Sequence, residues 1–344
     1  MDKIENKTAN ANDFGKSLKY IYNNNINGIE AGLFFCRTAN ECIKDAKLQP
    51  VPRKLYKDLL IENELTILVA DTGIGKSIFA VQIANEISKT EKVLYFDLEL
   101  SDKQFHGRYS DNYTNEFVFP DNFLRPNFKR RFDLPSGISY ENYFIDSVKE
   151  LIEKTSSKIV IIDNMTNLIT GDTDQSRSAK PLMDSLNDLK FDYNLTMLLL
   201  EHTKKVDPSR PIHLNDLQGS KMKVNLSDAI FTIGRSAKDK NLRYIKQLKV
   251  RSAELIFDSD NVLVYEIVKE NSFLSLKFAD YGNEYEHLRQ LSENDKASLI
   301  ENVNQLKQQG KSYRQIAIEL HTSKSTVERI LKVKETVPTV PTVL

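Results

Sequence analysis

The chain has 344 residues, enough for one large domain with a sizeable core and a smaller companion. Hydrophobic residues make up 40% and charged residues 28%, which excludes a wholly disordered chain, and a formal net charge of +0 excludes recruitment to nucleic acid by global attraction. Two cysteines, Cys36 and Cys42, exclude a disulfide framework, and no run reaches the roughly 18 apolar residues that a membrane helix needs.

The first residues carry no apolar leader segment, which sets the expectation of a cytoplasmic protein without a membrane partner. Residues 1–35 are rich in Asn, Lys and Asp and are expected to form a flexible arm, with a little helix around Leu18–Tyr22. Residues 36–62 read as a connector in which Leu55, Leu59, Leu60 and Ile61 pack on a core. From 63 to 290 short apolar runs alternate with helical patterns. The runs are Leu65–Ala70, Val93–Leu98, Lys158–Asp163 and Thr196–Glu201; the helical patterns are Ser77–Ile87, Tyr140–Glu153 and Lys180–Leu189. This alternation predicts an α/β fold, a mostly parallel sheet flanked by helices on both faces. Three later runs, Ala229–Ile233, Arg243–Val250 and Val262–Ile267, are expected to extend the sheet as antiparallel strands. Residues 104–139 interrupt the pattern with eight aromatic residues from Phe105 to Phe132, interleaved with Arg108, Arg125, Lys129, Arg130 and Arg131. Such a stretch can stack single-stranded bases, but a packed insertion or subunit interface is the expected role. Residues 293–333 read as a small all-α, helix-turn-helix domain, and 334–344 as a disordered tail.

The segment Ala70-Asp71-Thr72-Gly73-Ile74-Gly75-Lys76-Ser77 follows one predicted strand and opens one predicted helix. Glycines let the backbone turn its N–H groups toward phosphates, and the helix start adds its partial positive charge. Lys76 reaches the β/γ-phosphates and the Ser77 hydroxyl ligates Mg²⁺. Ala70 stands where such loops usually have their first glycine, a strand-end position that needs only a small side chain. The expected cofactors are therefore ATP and Mg²⁺, held by Asp71, Thr72, Gly73, Ile74, Gly75, Lys76, Ser77 and Ile78. Asp163 ends an apolar strand at the edge where ligand crevices form, and is a candidate Mg²⁺ holder through water.

Asn164 follows Asp163, where many ATPases have a Glu that activates water, so another carboxylate must do that work. Val93–Leu98 is followed by Glu99-Leu100-Ser101. This resembles the RecA-like ATPases, and most closely the RepA-like and replicative-helicase hexameric group, in which the catalytic glutamate ends the strand beside the P-loop. The resemblance spans roughly residues 60–270 and implies a RecA-like fold with Glu99 as general base. It implies that His202, in Leu198-Leu199-Leu200-Glu201-His202-Thr203, senses the γ-phosphate. Leu217-Gln218-Gly219-Ser220-Lys221 is similar to the loop that faces the central channel. Lys249 and Arg251, in Lys246-Gln247-Leu248-Lys249-Val250-Arg251, resemble the pair that relatives insert into a neighbouring subunit's site. A homo-oligomer, a hexameric ring by resemblance, is then the active form.

At the C-terminus, Ile316, Ala317 and Leu320 mark the inner face of one helix and Val327, Ile330 and Leu331 that of the next, with Ser323 as N-cap. An earlier helix, about Asp295–Gln308, offers Leu299, Ile300, Val303 and Leu306. The pattern resembles the helix-turn-helix of resolvases. Between Lys307 and Lys334 lie seven basic and two acidic residues. By motif position Lys324, Ser325, Glu328 and Arg329 face the major groove of DNA, and Lys332 the phosphates. The expected function is an ATP-hydrolysing ring ATPase acting on DNA, a helicase or replication-initiation motor of a mobile element. The rivals are an ATP-switched DNA-binding regulator and a loader that works through replication or mobilisation proteins.

Overall fold

The computed structural model describes residues 28–129, 132–168, 176–218, 221–251, 253–290, 293–320, 322 and 324–335. The helix expected near Leu18–Tyr22, the N-cap Ser323 and the tail from 336 onward lie outside the described residues. Within the expected arm, β1 (Ile29–Ala31) and β2 (Phe34–Cys36) form a hairpin, and α1 (Ala39–Ala46) follows behind a Thr38–Glu41 capping box. None of these three elements contains a buried residue. The connector closes with a hairpin of β3 (Lys54–Tyr56) and β4 (Leu60–Ile61), which carries Leu59 and Leu60 into the core.

The main domain then runs β5 (Leu65–Ala70), α2 (Lys76–Ser88) and β6 (Val93–Asp97). The insertion holds α3 (Asp102–Arg108) and the short strands β7 (Ser110–Asp111), β8 (Asn115–Glu116) and β9 (Phe123–Leu124). Next come α4 (Tyr140–Thr155), β10 (Ile159–Asp163), α5 (Ser176–Tyr193) and β11 (Thr196–His202). A six-residue helix, α6 (Lys221–Leu226), leads to β12 (Ala229–Arg235), β13 (Leu242–Val250), β14 (Val262–Glu270) and β15 (Phe273–Gly282), and α7 (Glu284–His287) ends the domain.

Nine strands form one sheet in the order β15-β14-β13-β12-β5-β11-β10-β6-β9. The strands from β12 to β9 pair in parallel, and β13, β14 and β15 follow β12 with each antiparallel to the strand before it. This is the expected α/β architecture, a mostly parallel sheet flanked by helices, with one correction. The Ala229–Ile233 run, expected to be antiparallel, is parallel to β5, with Ala229 opposite Thr66. Only the three strands after it pair antiparallel, and β15 had no counterpart among the predicted runs.

Every residue of β5, β6 and β10 is buried, because helices cover both faces. Alternate residues separate two cores. Leu68 and Ala70 of β5 face α2 with Phe79, Ile83 and Tyr265, whereas Leu65, Ile67 and Val69 face α4 and α5 with Val148, Leu186 and Leu199. The insertion divides in two. Phe105, Tyr109, Phe117, Phe119 and Phe123 pack edge-on or tilted around one another and Phe273 of β15. Phe128 and Phe132 stay partly exposed against Tyr140 and Tyr143.

The C-terminal helices are α8 (Glu293–Gln308), α9 (Tyr313–Glu319) and α10 (Lys324–Glu335). They share a small core of Val303, Leu306, Ile316, Ala317 and Val327, with Leu299, Leu320, Ile330 and Leu331 against it. Ile300, expected inside, is 45% exposed and faces outward.

Leu199 is fully buried at the centre of β11. Leu199→Ala is expected to lower unfolding stability by about 2–5 kcal/mol, read as an earlier urea midpoint with an unchanged slope.

Candidate active site

The phosphate loop is shaped by two glycines in left-handed conformations, Gly73 at φ +70° and Gly75 at φ +116°. A side chain at either would be strained. Gly75 is the N-cap of α2 and makes no side-chain capping bond, so the first N–H groups of the helix stay open to an anion. The loop is braced from a distance. The Arg243 Nε donates to the Ile74 carbonyl at 2.7 Å, and Ile267 of β14 and Leu276 of β15 stand just beyond Gly75. Asp71 caps its own turn by accepting from the Thr72 N–H at 2.7 Å, and Ile78 packs against the core.

Lys76 is buried, and its Nζ donates to the carbonyls of Ala70 at 2.8 Å and Asp71 at 3.0 Å. It also lies 3.0 Å from His202 Nδ1. Because an ammonium can only donate, Nδ1 serves as acceptor in this contact, while the Asn164 amide nitrogen, also a donor, stands 3.1 Å from Nε2 and competes for the ring's acceptor role. Burial, with the Lys76 charge adding to it, pushes the His202 pKa down and keeps the ring neutral. Burial pushes Lys76 down as well, opposed by the charges of Asp163 and Glu99.

Asp163 is almost fully buried and accepts from the Ser77 hydroxyl and, at 2.7 Å, from the Tyr95 hydroxyl. Burial raises its pKa to about 6 against those two hydrogen bonds, with Asp97 and Glu99 adding like charge. The peptide between Asp163 and Asn164 is cis. Ser77 and Asp163 are hard oxygen donors side by side at the phosphate end. That set suits Mg²⁺, which takes few protein ligands and completes its shell with phosphate and water.

Glu99 is held indirectly. Asp97 Oδ1 accepts from the N–H groups of Glu99 at 3.2 Å and Leu100 at 2.8 Å, and Arg125 of the insertion clamps Asp97 Oδ2 at 2.9 Å. The Asn164 amide donates to Glu99 Oε1, which lies 4.0 Å from His202 Nε2. Glu99 lines two cavities. One, of about 400 Å³, contains the phosphate loop, Asp163, His202, Arg108 and Ile267; the other, of about 490 Å³, runs past Asp97 to Phe128 and Tyr140.

The structure thus gathers Thr72, Gly73, Gly75, Lys76, Ser77, Ile78, Glu99, Asp163 and His202 around one cleft. Lys249 and Arg251 are not among them. Lys249 lies at the end of β13 and Arg251 just beyond it, opposite the start of β12, about 13 Å along the strands from the phosphate loop. Lys249 donates to the Val224 and Ser227 carbonyls, and Arg251 pairs with Asp228. At the C-terminus, Lys324 pairs with Glu328 at 3.1 Å, and Arg329 and Lys332 are exposed. The side chain of Ser325 lies outside the described residues, as do Gly219 and Ser220 of the expected channel loop.

Four residues of the site escaped sequence reasoning. Arg108 ends α3 and turns into the cleft, where no described residue forms an ion pair with it. Its nine-residue distance from Glu99 was the available signal. Tyr95 and Asp97 sit in a strand read only as apolar, although a buried Tyr hydroxyl implies a partner. Ile267 comes from a strand whose pairing no local pattern reveals.

The profile of a protein family described as an AAA domain matches residues 36–208. No curated protein sequence matches the chain. Among solved structures, it is similar to a DnaB-like replicative helicase, described with its interactions with primase, at 17% identity and TM-score 0.48 over 62% of this chain and 57% of that one. It is also similar to a KaiC-like protein from the hyperthermophilic archaeon Pyrococcus horikoshii OT3, at 13% identity and TM-score 0.44 over 64% of this chain and 94% of that one. A third likeness, to a solved ATPase domain, has 16% identity and TM-score 0.49 over 78% of this chain and 99% of that one. The chain therefore spans less than two thirds of the helicase's length.

With a folded-state pKa of about 6, above the ordinary 3.8, the folded chain binds the Asp163 proton more tightly than the unfolded chain. The ionised carboxylate thus costs stability above pH 6, and the cost fades as pH falls toward 3.8. In the nucleotide-free protein, Asp163→Asn is expected to raise urea stability at pH 7.5 by on the order of 2–3 kcal/mol. The gain should shrink toward pH 4.5; an equal gain at both pH values would contradict the assignment.

Proposed function

The chain belongs to the AAA domain family of P-loop ATPases, and on that premise we propose that it hydrolyses ATP as a ring-forming motor on DNA, a helicase or replication-initiation factor of a mobile element. The observation that carries this reading is an open cleft holding the phosphate loop, Asp163, Glu99 and His202, with Lys249 and Arg251 at the far end of the same sheet. ATP would be held by Asp71–Ile78, and Ser77 and Asp163 would hold a Mg²⁺ that neutralises charge on the phosphates. Glu99, poised by the Asp97 turn, takes the proton of the attacking water, and His202 reads the γ-phosphate. Charge on the transferred phosphoryl group is met by Arg108 from the same chain and by Lys249 and Arg251 of a second copy. The three C-terminal helices form a helix-turn-helix that brings Arg329 and Lys332 to duplex DNA.

A second reading is an ATP-switched regulator, favoured by the electropositive C-terminal helices and not requiring strand separation. A regulator binds a specific duplex and turns over slowly; a motor turns over faster with single-stranded DNA and displaces a paired strand. A loader would need its protein partner before either activity appeared.

Steady-state turnover decides the chemistry. Glu99→Gln is expected to slow hydrolysis by about 10²–10⁴-fold with ATP binding retained, and Lys76→Ala to abolish it; unchanged turnover in Lys76→Ala would end the proposal. Mixing Arg251→Ala with Lys76→Ala subunits should restore activity, since each damages a different side of a shared site. An assembled but inactive mixed ring would refute the completion of the cleft by a neighbour. Arg329→Ala should weaken duplex binding in a fluorescence titration without altering ATP turnover in the absence of DNA; undiminished binding would remove the C-terminal helices from the DNA contact.

A further inference from the structure

Glu201 and Lys223 form an ion pair at 2.6 Å in which both side chains are almost wholly buried, 3% and 2% exposed. Neither belongs to a predicted site. Glu201 lies on β11 immediately before His202, and Lys223 lies on α6. Burying two charges costs more solvation than a stability role would justify, since a well-packed apolar pair is often no less stable. What the pair does provide is position.

Around it, the end of β11 and the segment leading into α6 are joined by the backbone. The Gln218 N–H donates to the His202 carbonyl at 3.0 Å, the Lys204 N–H to the Asp216 carbonyl at 2.7 Å, and Thr203 bridges Leu217. The Glu201 carboxylate accepts from the His202 N–H as well as from Lys223. Its charge favours the protonated form of Lys76, while Lys223 disfavours protonation of His202, so the pair is felt electrostatically in the cleft. At its other end, α6 holds the two cations that lie far from this cleft. Lys249 Nζ donates to the Val224 and Ser227 carbonyls, and Arg251 Nη2 to the Asn225 carbonyl at 2.9 Å.

We infer that α6 is a lever between two sites, pinned by Lys223 to Glu201 beside one phosphate cleft and positioning Lys249 and Arg251 for the next through its last carbonyls. The inference rests on the reading of those two cations as groups that complete a neighbour's site. Glu201 and Lys223 are positioning residues that never touch nucleotide. When phosphate draws Lys76 away from His202, the end of β11 shifts, the pair carries the shift to α6, and the hold on Lys249 and Arg251 changes.

Amide hydrogen exchange on the full chain, with and without Mg–ATPγS, tests this in the wild type and in Glu201→Met/Lys223→Met. The double variant removes both charges together and leaves none buried alone. In the wild type, nucleotide is expected to slow exchange at 70–77 and to alter it at 221–227 and 246–251. In the double variant the response at 70–77 remains and the other two are lost. Should that variant not fold, Glu201→Gln is read in the same way. A response at 246–251 that survives in the variant, or that is absent from a wild type protected at 70–77, overturns the lever alone. No protection at 70–77 in the wild type overturns the nucleotide site, and the lever with it.

Discussion

Parallel strands paired without slip hold their ends in a fixed relation; among the four central strands of this sheet, β5 and β11 end level with each other, as do β6 and β10 about two residues earlier. Ala70 pairs with His202, and Asp97 with Asp163. The start of the phosphate loop, the residue that shapes the Glu99 turn, the candidate Mg²⁺ holder and the candidate phosphate sensor therefore emerge along one edge. A slip of one residue would turn each of these side chains to the opposite face. Close packing of particular side chains on both faces of β5, β6 and β10 holds that register, since every residue of these strands is buried. Chemistry at the edge is a consequence of packing in the middle.

Much of this edge was legible in the sequence because its signals are local. A strand, a glycine turn and a helix lie within 65–88, and Asp163 and His202 each close an apolar run. What was not legible depends on pairing between distant segments. The direction of β12 was misread because its connection from β11 contains, among the described residues, only a 3₁₀ turn at Leu214–Asp216 and the short helix α6, with no long amphipathic pattern to mark a crossover. Arg108 reaches the cleft because the insertion is clamped to the last hairpin, where Lys269 donates to the Gly107 and Ser110 carbonyls and Ser272 to Asp111. Nothing within 104–139 announces those partners. Ile300 was misplaced for a simpler reason: a helical stripe of four apolar residues is wider than the seam that this small three-helix core offers.

Charge within the domain is organised at two ends. At the phosphate end, Asp163 and Glu99 raise the Lys76 pKa against burial, and Lys76 lies 3.0 Å from the His202 ring. At the opposite end, Asp228 gathers Lys190, Arg251 and the Leu65 N–H, so the β5 start, α5 and the end of β13 are tied at one carboxylate. A further buried pair, Lys246 with Glu284, fastens α7 to β13. Such ties contribute little net stability but restrict where the strand ends can move.

The bracing of the phosphate loop has a consequence for how the protein is made. Ile74 and the Arg243 that holds its carbonyl are 169 residues apart in the chain. Gln82 of α2 is hydrogen-bonded to Leu276 across 194 residues. A growing chain thus exposes its glycine loop long before the hairpin that shapes it has been synthesised. Since domains fold as units, the loop takes its shape only once the whole domain, through β15, has been made.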